Sequence, residues 1–350
     1  MELLKQLYRI SSPSGQEKRM RKYILKYCKK LGAETQVDSK GNVYVTKGVA
    51  ESYPCIVAHM DEVCPERGQG YKVIEDDGVI MGFDLNKREF SGIGGDDKNG
   101  IWVALKCLEK YEQIKCAFFV EEEIGCGGSE VADMNFFLDC RYVLQCDRRG
   151  NSDLITNVYF TDLCSDEFLA ATNYKDFGYK EQSGMLTDVY TLKENGLQVS
   201  CLNISCGYYN PHSENEYTIF SDLENCLHFV ENIIENCLDV YPHKCTPSSQ
   251  SYYGHSKYGY FNKYYSQRYN QWDDYTNNDK ENNEVELSED EYEEYTAEYN
   301  DMEQIIADDY EFIQSIPNGE ESIAASQLIE DYGFKYLSVS EVVELINYYR

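Results

Sequence analysis

The amino-acid sequence predicts an α/β fold over residues 1–244, with a mostly parallel central sheet flanked by helices. Three observations predict it. Residues 55–58, 117–120 and 142–146 are apolar runs too short for helices, and they read as buried strands. Stretches of helical periodicity lie between them, as the crossovers between parallel strands require. Each run also stops at residues that carry chemistry: His59, then Glu121, Glu122 and Glu123, then Asp147. Open α/β sheets bind ligands at the carboxyl ends of their strands, so these three stops define one expected cleft.

The N-terminus begins Met1, Glu2, Leu3, Leu4, an amphipathic helical pattern. A second helical period covers residues 17–31, with Ser14 as its expected cap and Gly32 as its stop. Lys40, Gly41 and Asn42 form a turn before a strand at 43–45. Residues 100–111 and 165–174 read as helices, and 197–204 as a strand leading into a loop at 207–216 that carries His212. Ser221 and Glu224 then mark a capping box that opens a helix to about residue 238.

Beyond Lys244 the composition changes. Residues 245–300 are rich in Tyr, Asn and acidic side chains, and are expected to be a low-complexity linker, disordered or docked through residues such as Tyr252 and Tyr258. Residues 301–350 regain helical periodicity, at 302–313, 323–332 and 341–349, and are expected to form a small acidic helical appendage.

A chain of 350 residues, 42% hydrophobic, can bury a substantial core. Its formal net charge of -30, more than half of it beyond residue 244, argues against nucleic acid or an anionic membrane as partner, because phosphate binding relies on Lys and Arg. No stretch reaches the roughly 18 apolar residues of a membrane span. The 14 cysteines are scattered, several lie inside strand-like runs (Cys55, Cys116, Cys201), and no secretory signal pattern precedes them. They are expected to be buried thiols in the reducing cytoplasm.

Two histidines and several carboxylates delivered from different strand ends are what a pair of divalent ions needs. His59 and Asp61 form an HxD pair, in which the imidazole ligates a metal and the carboxylate holds its other nitrogen; a strand-end histidine near a surface aspartate explains them equally well. Asp96 follows Gly92, Gly94 and Gly95, which either project a carboxylate into a cleft or make a flexible acidic turn. Glu122 and Glu123 allow one carboxylate to bind metal and its neighbour to handle protons, although Glu121 leaves the pairing ambiguous. Asp147 is followed by Arg148 and Arg149, so a surface ion pair competes as its explanation. His212 sits in a loop that needs no metal to account for it.

In order, Ala58-His59-Met60-Asp61, Gly95-Asp96-Asp97-Lys98, Glu121-Glu122-Glu123-Ile124-Gly125, Cys146-Asp147, Leu186-Thr187-Asp188-Val189 and Pro211-His212-Ser213 resemble the motifs of the di-zinc aminopeptidase and carboxypeptidase superfamily, which includes peptidase T and the glutamyl-type aminopeptidases. Residues 10–17 and 38–42 are similar to the N-terminal part of that superfamily, and the resemblance covers about residues 1–240. It implies that Asp96 bridges two zinc ions, with His59 and Asp147 completing one set and Glu123 and His212 the other. It further implies that Asp61 orients His59, that Glu122 is the general base, and that the Asp96–Asp97 peptide is cis. Cobalt or manganese are the alternatives to zinc.

Asp188 is a weaker candidate for binding a substrate ammonium group. The gaps of 37 residues from His59 to Asp96 and 65 from Asp147 to His212 leave no room for the lid or dimerisation domain that many relatives insert. The expected activity is therefore that of a lidless aminopeptidase acting on short peptides. A deacylase or carboxypeptidase of the same superfamily is one alternative. An inactive binding module, whose acidic extension recruits a protein partner, is the other.

Overall fold

The structure, a computed structural model, describes residues 1–159 and 161–244 together with scattered positions between 316 and 346. In chain order the elements begin with α1 (Glu2–Arg9), α2 (Lys18–Lys30), β1 (Glu34–Val37), β2 (Val43–Lys47) and β3 (Tyr53–His59). They continue with β4 (Tyr71–Asp76), β5 (Val79–Asp84), β6 (Glu89–Ser91), α3 (Gly95–Lys110), β7 (Ile114–Phe119), α4 (Gly127–Glu130) and β8 (Cys140–Arg148). The rest are β9 (Asp153–Val158), β10 (Thr161–Asp162), α5 (Asp166–Ala171), β11 (Lys180–Gly184), α6 (Asp188–Glu194), β12 (Cys201–Ser205), β13 (Tyr208–Tyr209), β14 (Tyr217–Ile219) and α7 (Phe220–Asn236).

A nine-stranded sheet runs β1-β2-β7-β3-β8-β12-β9-β10, with β11 paired to β9. Its middle, β7-β3-β8-β12, is parallel throughout, while β1, β2 and β10 add antiparallel edges. Strand alternation sorts the side chains onto two faces. Ile56, Ala58, Cys116, Phe118 and Leu144 join the core formed with α1, α2, α3 and α7. Cys55, Val57, Ala117, Phe119 and Val143 join the core beneath α6. Covered on both sides, these strands read as continuous apolar runs, which explains why the sequence located them.

A second sheet, β13-β14-β5-β4 with β6 on β5, had no signal in the sequence analysis. It fills the interval between His59 and Asp96 with an antiparallel meander and pairs that meander with the hairpin preceding α7: Tyr217 lies opposite Met81, Thr218 opposite Ile80 and Ile219 opposite Val79. The seven-residue loop of that hairpin carries His212.

Two expected caps are corrected. Glu17, not Ser14, precedes α2, and the Ser14 hydroxyl donates to Asp61 Oδ2 at 2.8 Å. The helix expected from Ser221 starts at Phe220, because β14 runs directly into α7 and the Phe220 N–H donates to the Gly78 carbonyl at 2.8 Å. Ser221 thus lies within the first turn.

The described cysteines are all free, and all but Cys64 are buried. Among the described residues no helix is long and apolar enough to cross a membrane. The chain divides into two compact units, Met1–Tyr265 and Ser266–Arg350, and every element above belongs to the first. In the second, Ala324, Ala325, Leu328 and Ile329, and then Val339, Val342, Val343 and Ile346, have helical backbone. The linker expected at 245–300 and the helix expected at 302–313 lie outside the described residues.

Ile56 is fully buried where α3 packs on β3. Ile56→Ala should cost about 2–5 kcal/mol, read as a lower urea midpoint at unchanged slope. A cost under about 1 kcal/mol would show that this layer is not tightly packed.

Candidate metal centre

His59 is the last residue of β3 and is fully buried. Its backbone N–H donates to Asp97 Oδ2 at 3.2 Å. Asp97 Oδ1 also accepts the Gly100 N–H at 2.9 Å, so one buried carboxylate ties the histidine to the start of α3. A Cβ at Gly100 would lie 2.4 Å from Asp97 Oδ1, so only glycine allows this approach. The imidazole Nδ1 lies 3.1 Å from the Asp61 carbonyl and 3.4 Å from Asp61 Oδ1. Its Nε2 faces Asp96 Oδ1 at 3.1 Å, Asp147 Oδ1 at 3.6 Å and Glu122 Oε2 at 4.0 Å.

Asp96 sits at the start of α3, just after the glycine loop, with non-helical backbone at Asp96 and Asp97 and a cis peptide between them. Its Oδ1 faces His59, while its Oδ2 lies 3.3 Å from His212 Nε2. The same His212 nitrogen is 3.0 Å from Glu123 Oε2. Ligand atoms of His59, Asp96 and Asp147, and separately of Asp96, Glu123 and His212, lie within 4.8 Å of one another. Each group could hold a metal ion, and Asp96 belongs to both.

The acidic run is placed by its backbone. After β7 the Val120 N–H donates to Asn42 Oδ1 (3.1 Å), Glu121 to Glu17 Oε1 (3.3 Å), Glu122 to Asp61 Oδ1 (3.0 Å) and Glu123 to Asp61 Oδ2 (3.1 Å). Asp61 therefore holds the following loop as well as facing His59. The Glu121 carboxylate pairs outward with Lys40 Nζ at 2.6 Å, which leaves Glu122 and Glu123 facing the cleft. Glu123 Oε1 is buried without a hydrogen-bond partner.

Asp147 exchanges backbone hydrogen bonds with the Asn203 side chain, at 3.0 Å in each direction. Its Oδ2 accepts from Gln145 Nε2 at 3.0 Å. The competing surface ion pair goes elsewhere, because Arg148 pairs with Asp153 at 3.1 Å. Asp188 departs from its expected place at a substrate. It is fully buried, accepts the Ser129 hydroxyl at 2.5 Å, and lies 3.4 Å from Gln145 Nε2, positions that tie α6 to α4 and β8.

The electrostatics show how much negative charge is enclosed. Burial and the Asp96 charge push both Glu123 and Asp147 above the usual carboxylate range. Burial, with the Asp147 charge behind it, does the same to Glu122. Asp96 resists burial and stays well below that range, because His212 and His59 hydrogen-bond to it. Burial alone would lower His59, yet Asp147, Asp61 and Asp96 hold its imidazole well above its ordinary value. A donor set of this kind calls for positive charge, and the buried, unpartnered Glu123 Oε1 is an oxygen that a cation could engage. The residues fit two divalent ions.

Sequence reasoning missed Glu17, Asn42, Asp97, Gln145, Asn203 and Glu216. Glu17, Asn42, Asp97 and Glu216 lie in or beside the motifs quoted above, but act through backbone amides that spacing does not reveal.

No family model matches the chain. A protein described as a LysW-lysine/LysW-ornithine hydrolase, from Pyrobaculum aerophilum, is 40% identical over 62 residues; the match spans 18% of each chain. Among solved structures, aminopeptidase PepT of Bacillus cereus is 16% identical with a TM-score of 0.53, covering 67% of this chain and 96% of its own. A tripeptidase of Staphylococcus aureus is 14% identical with a TM-score of 0.54 and the same coverages. The TET1 peptidase of Pyrococcus horikoshii is 19% identical with a TM-score of 0.50, covering 67% and 98%. The described α/β unit shares the fold of these aminopeptidase and tripeptidase structures.

Chelation and reconstitution test the fit. Metal-free protein should gain about 2.7 kcal/mol for each site filled at 100 times its dissociation constant. Two filled sites should raise the thermal midpoint by roughly 10–20 °C. An unchanged midpoint with excess zinc, cobalt and manganese would argue against metal binding here.

Proposed function

We propose that the protein is a metal-dependent peptidase, an aminopeptidase that trims short peptides, with zinc as the expected ion and cobalt or manganese as alternatives. The observation that carries the reading is a pair of ligand sets sharing Asp96, with Glu122 beside them and in neither. Two divalent ions bound there would acidify an attacking water and polarise the scissile carbonyl. Glu122 takes the proton of that water and returns it to the leaving amine, a task that requires a carboxylate not committed to metal. Its elevated proton affinity suits that exchange. Asp61 fixes the Glu122 and Glu123 amides and so sets the distance between base and ligand.

The aminopeptidase assignment draws support from two sides. The cleft is acidic, which favours the ammonium group of a free N-terminus. The aminopeptidase and tripeptidase structures described above share the fold. The free, buried cysteines support a reducing compartment, the cytoplasm.

Glu122→Gln should lower kcat by about 10²–10⁴-fold or more while the metal content stays at the wild-type level. Retained turnover would remove Glu122 from the role of base. In a panel of amino-acid amides, N-blocked peptides and acyl amino acids, only substrates with a free N-terminus should be cleaved. Cleavage confined to N-blocked substrates would overturn the aminopeptidase assignment.

A further inference from the structure

The β13–β14 loop carries two residues that reach across to Asp96, and only His212 has a role in the reading above. The other is Glu216, 2% exposed. Its Oε2 accepts the Gly94 N–H at 2.7 Å and its Oε1 accepts the Asp96 N–H at 3.0 Å. Asp96 is thus gripped twice by one loop, through its amide by Glu216 and through its carboxylate by His212.

The two ligand sets differ in what holds them. His59 and Asp147 sit on β3 and β8, neighbours within the parallel ladder. His212 sits in a loop whose Asn210 and His212 both adopt left-handed backbone, φ 53° and 60°, which non-glycine residues rarely do. Its side chain is also the most exposed of the ligands, at 34%. The seat of this loop against the glycine loop is where Glu216 acts.

We propose that Glu216 is a positioning residue for the set Asp96, Glu123 and His212, clamping the Gly94 and Asp96 amides so that the β13–β14 loop seats His212 against the shared carboxylate. The proposal rests on the two-metal reading. Glutamine at this position keeps the length but has one acceptor oxygen, so its amide nitrogen opposes one of the two N–H groups.

The test is zinc titration of metal-free protein in competition with a chromophoric chelator. Wild type should take two equivalents. E216Q should bind the first within about 3-fold of wild type and the second about 10–100-fold more weakly, the range seen when groups supporting a ligand are removed. Because one buried N–H loses its acceptor, the thermal midpoint of metal-free E216Q should fall by only a few degrees, with the first equivalent still bound at near wild-type affinity. A lowered midpoint with both equivalents weakened alike would make Glu216 merely structural and overturn the proposal. Two equivalents at wild-type affinity in E216Q would overturn it too, while leaving the two-metal reading standing. A wild type that binds no metal overturns both. If E216Q does not fold, amide exchange in metal-free wild type decides: the Gly94 and Asp96 amides should be protected, and free exchange at either overturns the clamp.

Discussion

The centre depends on four consecutive backbone amides. Where β7 leaves the sheet, the N–H groups from Val120 to Glu123 lose their ladder partners inside a largely buried region, and each finds a side-chain acceptor: Asn42, Glu17 and both oxygens of Asp61. An unsatisfied buried amide costs about 1–3 kcal/mol, so the path of this segment is strongly determined. That path includes a left-handed Glu121, which turns the next two carboxylates into the cleft. The three acceptors come from the turn before β2, the start of α2 and the end of β3. The placement of Glu122 and Glu123 is therefore a property of the whole N-terminal half.

A second constraint is charge. Asp96, Asp97, Asp147, Glu122 and Glu123 converge in a region with little water, and such convergence opposes folding unless cations or protons offset it. The buried cations nearby, Lys98 and Arg67, lie beneath the glycine loop and are both committed to Glu62, at 2.6 and 2.5 Å. Within the cleft the only partners of opposite sign among the described residues are His59 and His212. A compact cluster that keeps its excess carboxylates inward could hold cations there.

Much of the fold was legible because the parallel strands are buried on both faces and end at distinctive residues. His59 and Asp147 could be placed at strand ends from local pattern alone. The second sheet was not legible, since β4 is largely exposed and its stability comes from pairing residues near position 80 with residues near 218. Ser14 and Ser221 misled for a related reason. Local sequence offered them as helix caps, while tertiary contacts gave Ser14 to Asp61 and gave the first amide of α7 to Gly78. Asp188 reads as a partner for a substrate ammonium group from its charge alone, yet it is fully buried and held by Ser129. The signals that fail are those whose partners lie far along the chain.

The contact at Gly100 extends the vulnerable area of the molecule beyond the candidate ligand residues. Position 100 touches no metal donor, yet any side chain there must displace the carboxylate that seats the His59 backbone. A map of damaging substitutions across this chain would thus include a glycine one turn into a helix, in a segment that surface inspection would pass over. Drift in such a protein is limited by the space that its ligand supports leave unfilled.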